Sequence, residues 1–143
     1  MLFQDATKSF VAVTIGVEGQ QESLGIPVLS LRKASELLDE WGRVKRSELI
    51  AMHKQAGSTP AEIVAALSQF DRESRSLVTA IGWCSSYAFC AATIDKAYGS
   101  PLADRIAPSS DVFMLAMQLW GADTKPNGEA EGNAAGQSSN ATG

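Results

Sequence analysis

Between Phe10 and Val17, apolar side chains recur at every second position: Val11, Val13, Ile15 and Val17. That is the period at which a strand turns one face to a core, so a strand is predicted over Phe10–Val17. A polar, glycine-bearing stretch, Glu18–Gly25, follows, and Ile26-Pro27-Val28-Leu29-Ser30-Leu31 returns to apolar character. Together these segments read as a hairpin with a long loop. Pro27 has no N–H to offer a neighbour, which puts the second strand at an edge. A lone hairpin is marginal in water and must lean on the rest of the chain.

The rest is patterned as helix. Ser30 is placed to cap a helix opening near Leu31, and Ala34, Leu37, Leu38, Trp41, Val44, Leu49 and Met52 recur three to five residues apart with charges between them. This run ends at Ala56-Gly57, with glycine where a left-handed residue closes a helix. Thr59-Pro60-Ala61-Glu62 combines a threonine cap, a first-turn proline and a glutamate three residues after the cap, so a second helix starts there, with Ile63, Val64, Ala66, Leu67 and Phe70 as its buried face. The polar stretch Asp71–Ser76 reads either as a turn or as an exposed part of a continuing helix. Gly99-Ser100-Pro101 stops the next helix, a short helical piece fits Leu102–Ile106, and Pro108-Ser109-Ser110-Asp111 opens a last helix carrying Val112, Phe113, Leu115, Ala116, Leu119 and Trp120 up to Gly121. The expected fold is mainly α: a bundle of four to five helices with an N-terminal β-hairpin.

Leu77–Ile94 is uncharged and nearly long enough to span a bilayer. Its serines, threonines, glycine and many alanines and cysteines favour a central, closely packed bundle helix over a membrane span. Membrane insertion of Leu77–Ile94 stands as the alternative.

Composition divides the chain in two. Ala122–Gly143 contains no apolar side chain larger than alanine, and such a segment cannot offset its ordering entropy by burial; a disordered tail is expected there, after a folded part over 1–121. The formal charge of the 143 residues is −4. Asp123, Glu129 and Glu131 against Lys125 account for half of it, leaving the folded part nearly neutral, without the broad positive field that nucleic acid requires. The opening Met1-Leu2-Phe3-Gln4-Asp5 has no basic region ahead of an apolar run, so a secretory signal is not expected, and two cysteines in one apolar stretch fit reduced thiols in a cytoplasm.

Side chains with chemical potential are few. His53 with Cys84 or Cys90 is the one conceivable base and nucleophile pair, and it lies in no nucleophile motif; both cysteines read as core residues and His53 as solvated. Glu36, Asp39 and Glu40 alternate with Arg32, Lys33 and Arg43 as on a wet, ion-paired helix face. Arg43, Lys45 and Arg46 with Trp41 form the densest basic cluster, but Glu40 and Glu48 flank it and Trp41 follows the apolar stripe, so no nucleic-acid partner is expected. No phosphate loop, HExxH or paired CxxC occurs, and no cofactor, metal or catalytic residue is assigned. On the last helix, Phe113, Met114, Met117 and Trp120 add to Leu115 and Leu119, more apolar surface than one small core accommodates. These four are the candidate partner-binding residues, for another protein or a second copy of the chain, and the alternative is a last helix buried on most sides.

The order of elements is also informative. Leu29-Ser30-Leu31-Arg32-Lys33-Ala34-Ser35-Glu36-Leu37-Leu38-Asp39-Glu40-Trp41 leads from the hairpin into a long helix, Ser58-Thr59-Pro60-Ala61-Glu62 opens the next, and Ser74-Arg75-Ser76-Leu77 precedes an uncharged helix. This layout over residues 9–121, with its polar tail, resembles the small tail-assembly chaperones and related morphogenesis proteins of tailed bacteriophages. The resemblance implies a non-enzymatic protein in the cytoplasm of the bacterial host that binds the helical tape-measure protein or tail-tube subunits. It supplies no motif residue that transfers singly as a binding site.

Overall fold

The computed structural model describes residues 1–122, and the tail expected over 122–143 lies, apart from Ala122, outside the described residues. After a 3-10 turn at Ala6–Lys8, β1 (Phe10–Val17) and β2 (Gln20–Pro27) pair antiparallel, from Phe10 opposite Pro27 to Val17 opposite Gln20. The long loop expected over Glu18–Gly25 is therefore wrong: the turn is Glu18-Gly19 alone, closed by Gly19 at φ +83°. Polar Gln20–Ser23 belong to the strand because the far half of the hairpin stands in solvent, where no apolar alternation is demanded.

Among the described residues five α-helices follow: α1 (Leu31–Gln55), α2 (Pro60–Glu73), α3 (Leu77–Trp83), α4 (Tyr87–Tyr98) and α5 (Ser110–Leu119), with a 3-10 turn at Leu102–Arg105. Local chemistry sets most boundaries. Ser30 Oγ accepts from the Lys33 N–H at 3.2 Å, and at α2 both halves of the capping box form: Thr59 N–H donates to Glu62 Oε1 at 2.7 Å and Glu62 N–H to Thr59 Oγ1 at 3.2 Å. The bond from the Thr59 N–H, with the Thr59 hydroxyl beside it, holds the Glu62 carboxyl below its ordinary pKa. The polar stretch at Asp71–Ser76 resolves into both readings in turn, since α2 runs on to Glu73 and the chain then turns at Ser74-Arg75. Gly99, at φ +90°, ends α4 in the left-handed conformation.

The single helix expected over Leu77–Ile94 is not formed. It is two helices, α3 and α4, bent by 119° at Cys84–Ser86. Serines supply the reason: Ser76 caps α3 through the Thr79 N–H, Ser85 Oγ donates back to the Gly82 carbonyl, and the Ser86 N–H closes on the Trp83 carbonyl. Among the described residues no single helix is long and apolar enough to cross a membrane.

The bend wraps the chain around one residue. Phe89 on α4 is fully buried and meets Trp41 of α1 (ring centroids 5.4 Å apart), Trp83 of α3 (5.5 Å) and Trp120 just beyond α5 (5.8 Å). Ile26, Leu37, Ala80, Cys84, Cys90, Ile94, Ala97, Leu102, Val112, Ala116 and Leu119 complete the core. The hairpin is tied to it by Ile26, by Val11, Val13 and Ile15, and by the Leu29 N–H donating to the Leu119 carbonyl at 3.0 Å. Truncating Phe89 removes a partner from three elements at once, so Phe89→Ala is expected to cost about 3–5 kcal/mol in urea unfolding. Phe113→Ala, at a half-buried ring, should cost clearly less.

Candidate functional site

The four partner-binding candidates on and just after α5 do not share a face. Trp120 is only 8% exposed, and its indole N–H donates to the buried Thr93 hydroxyl at 3.1 Å. It is a core residue, which corrects its expected place on the surface. Phe113 is half-buried and stacks on Tyr87 at 4.7 Å, Met117 is half-buried, and Met114 is open to solvent. Sequence reasoning overlooked that the 3.6-residue period sends residues 112, 116 and 119 inward and carries Trp120 round with them.

The candidates for catalysis and nucleic-acid binding are occupied by structural work. Lys96 on α4 sits 3.0 Å from Glu36 and 3.3 Å from Glu40, while Asp39 pairs with Arg75 at 3.0 Å. The hydrogen bond that Lys96 donates to Glu36, reinforced by Glu40, raises the Lys96 pKa. The acidic trio thus locks α1 to α4 and to the turn before α3. Of the basic cluster, Lys45 pairs with Glu48 on its own helix, Arg46 reaches Asp71 of α2 at 3.2 Å, and Trp41 lies against Phe89 rather than free to stack on a base. His53 Nδ1 bonds the Ser58 hydroxyl at 2.9 Å near the far end of α1, about 20 Å along the helix from Glu40. Cys84 and Cys90 are buried in the core, where the Cys90 thiol donates to the Cys84 carbonyl at 3.1 Å. Nucleophile and base are not brought together. Among the described residues no group of His, Cys, Asp and Glu is arranged to hold a metal ion.

Two surfaces stand out among the described residues. The first is an arm formed by the outer part of α1 and by α2, joined at Ala56–Thr59. Every residue from Leu38 to Glu73 keeps part of its surface in solvent. Where α1 and α2 pack together, Leu49, Ile50 and His53 on α1 and Ile63, Leu67 and Phe70 on α2 are half-buried, and Val44, Met52 and Val64 are exposed. Two helices alone cannot enclose a seam. The second surface is a groove of about 700 Å³ along the outer edge of β1, lined by Val11–Val17, by Arg105 to Ala107, and by Asp111, Met114, Leu115 and Gln118 on one face of α5. At its rim Arg105 pairs with Glu22 of β2 at 2.6 Å, which raises the Arg105 pKa.

No protein-family model, curated protein or solved structure matches the chain.

Two outcomes follow from these placements. Trp120→Ala should destabilise by about 3–5 kcal/mol while Met114→Ala stays within about 0.5 kcal/mol of wild type in chemical denaturation. Burial, with Cys90 beside it, pushes the Cys84 thiol up to about 12, and burial pushes Cys90 to about 11, from an ordinary 9.0. A raised thiol pKa means that the fold favours the protonated form. This contribution is fully present below pH 9.0 and is lost as pH rises through about 11 to 12. Melting temperatures from pH 8 upward should fall less for Cys84→Ala/Cys90→Ala than for wild type; parallel curves would assign the alkaline loss to other groups.

Proposed function

We propose that this chain is a non-catalytic assembly protein of a tailed bacteriophage, a tail-assembly chaperone that holds the helical tape-measure protein in the host cytoplasm before the tail tube forms around it. The observation that carries this reading is the arm: two amphipathic helices, α1 and α2, whose facing stripes stay half-exposed from Leu38 to Glu73. A third amphipathic helix laid along that seam covers Val44, Met52 and Val64 and completes a three-helix packing unit, the arrangement in which helices recognise helical segments. The order of elements described above supports the same assignment. The occupied state of the acids, His53 and the thiols supports a role without catalysis.

An assembly chaperone must release its client, and an arm built this way suits that requirement. Its cross-helix ion pair, Arg46 with Asp71, is exposed and worth at most about 1 kcal/mol, so the arm contributes little stability that the client would have to overcome. Co-expression with a tape-measure-like helical protein tests the reading. The client is expected to stay in the supernatant and to co-purify with wild type, and Met52→Glu/Val64→Glu is expected to lose it while retaining wild-type helix content by circular dichroism. A client that stays insoluble and unbound beside wild type, or binds the double variant equally well, overturns it.

A further inference from the structure

The two outer edges of the hairpin are not alike. β2 carries Glu22 and Pro27, the charge and the missing donor with which natural sheets blunt an edge. β1 reads Phe-Val-Ala-Val-Thr-Ile-Gly-Val, eight residues with no charge and no proline. The pairing parity is set where the Val28 N–H donates to the Ser9 carbonyl at 3.0 Å, continuing the register of the hairpin. Val11, Val13, Ile15 and Val17 therefore direct their backbone groups to β2, and the N–H and C=O groups of Phe10, Ala12, Thr14 and Gly16 point outward. This row opens on the groove between β1 and α5. A strand edge above an apolar floor of Val112, Met114 and Leu115 is built to take another strand.

We propose that the occupant is β1 of a second copy of this chain, paired antiparallel about a two-fold axis into a four-stranded sheet. The strand is complementary to itself. With Val13 opposite its own counterpart, Val11 meets Ile15, Ala12 meets Thr14 and Phe10 meets Gly16, so no like charges oppose one another. The groove's charges agree with this direction. Arg105 and Asp111 lie toward the Val17 end of β1, whereas Phe10 and Val11 share their surroundings with Gln118 and Leu119 at the other end of α5. Antiparallel pairing sets each charged end against the partner's uncharged end, about 20 Å from its own counterpart. Assembly also closes. Both edges of the four-stranded sheet are then β2, guarded by Glu22 and Pro27, so the pairing stops at two copies. This dimer is independent of the client-binding arm.

Sedimentation equilibrium of the full chain over a hundredfold range of concentration tests the proposal, with circular dichroism confirming the fold of each variant. Wild type is expected at twice 15.1 kDa. Thr14→Pro removes an outward N–H without touching the β1–β2 ladder, and Thr14→Lys places a charge on the edge with the backbone intact; both are expected at 15.1 kDa. If Thr14→Pro does not fold, Thr14→Lys decides. A wild type that is monomeric throughout, folded variants that remain dimers, or a monomer that takes up only an extended apolar peptide of another sequence each overturn the assignment of a second copy.

Discussion

The packing of Phe89 among three tryptophans is the interaction on which the remaining architecture depends. Each tryptophan arrives from a different segment: Trp41 on α1, Trp83 on α3 and Trp120 after α5. Each aromatic side chain carries roughly 150–250 Å² of surface, so the cluster supplies much of the apolar burial available to a small body. It also explains the bend between α3 and α4. A straight helix over Leu77–Ile94 would put Trp83 and Phe89, six residues apart, about 120° from one another around its axis, on different faces. Breaking the helix at Cys84–Ser86 brings both rings to one centre.

Concentrating the core at one centre leaves the ends of the molecule underpacked. The far half of the hairpin and the α1–α2 arm both extend past the reach of the Phe89 cluster. Beside the apolar contacts of Ile15 and Trp41, what holds them near the body is polar: Glu36 and Glu40 on Lys96, Asp39 on Arg75, and Glu22 on Arg105. Exposed pairs of this kind contribute about 0–1 kcal/mol each, enough to set an angle and too little to replace a core. The surfaces offered to other chains are thus a direct result of where the aromatic residues lie.

Much of this was legible in the sequence because it is governed by local chemistry. Ser30, the Thr59–Glu62 box and Gly99 act within a few residues of themselves, and β1 declares itself by alternation. The second strand and the broken helix were misread for one reason: both depend on what lies opposite. Gln20–Ser23 form a strand because β1 pairs with them, not because their own pattern alternates. The apolar continuity of Leu77–Ile94 conceals a corner that only the convergence of Trp83 and Phe89 requires. The candidate site divided in the same way. The acids were expected to pair with Arg32, Lys33 and Arg43 along their own helix, whereas they pair across elements with Lys96 and Arg75, and Arg46 likewise reaches Asp71, all partners distant in sequence. Trp120 was misplaced because its exposure is decided by α4, through Thr93.

Trp41 and Trp120 make opposite uses of one side chain. Trp120 satisfies its indole N–H on Thr93, whereas the Trp41 indole N–H is buried without a hydrogen-bond partner among the described residues. An unsatisfied buried donor costs about 1–3 kcal/mol. Burying half of a large aromatic surface at about 25 cal/mol/Å² returns about 2–3 kcal/mol, so the two effects nearly cancel. The value of Trp41 then lies in direction rather than stability. It is where α1 touches the aromatic cluster at the root of the arm, and its 59° tilt against Phe89 helps fix the course on which α1 leaves the body. A smaller apolar residue would spare the donor's cost and leave that course less constrained. For an arm with so little core of its own, the orientation of its root determines what the exposed stripe can reach.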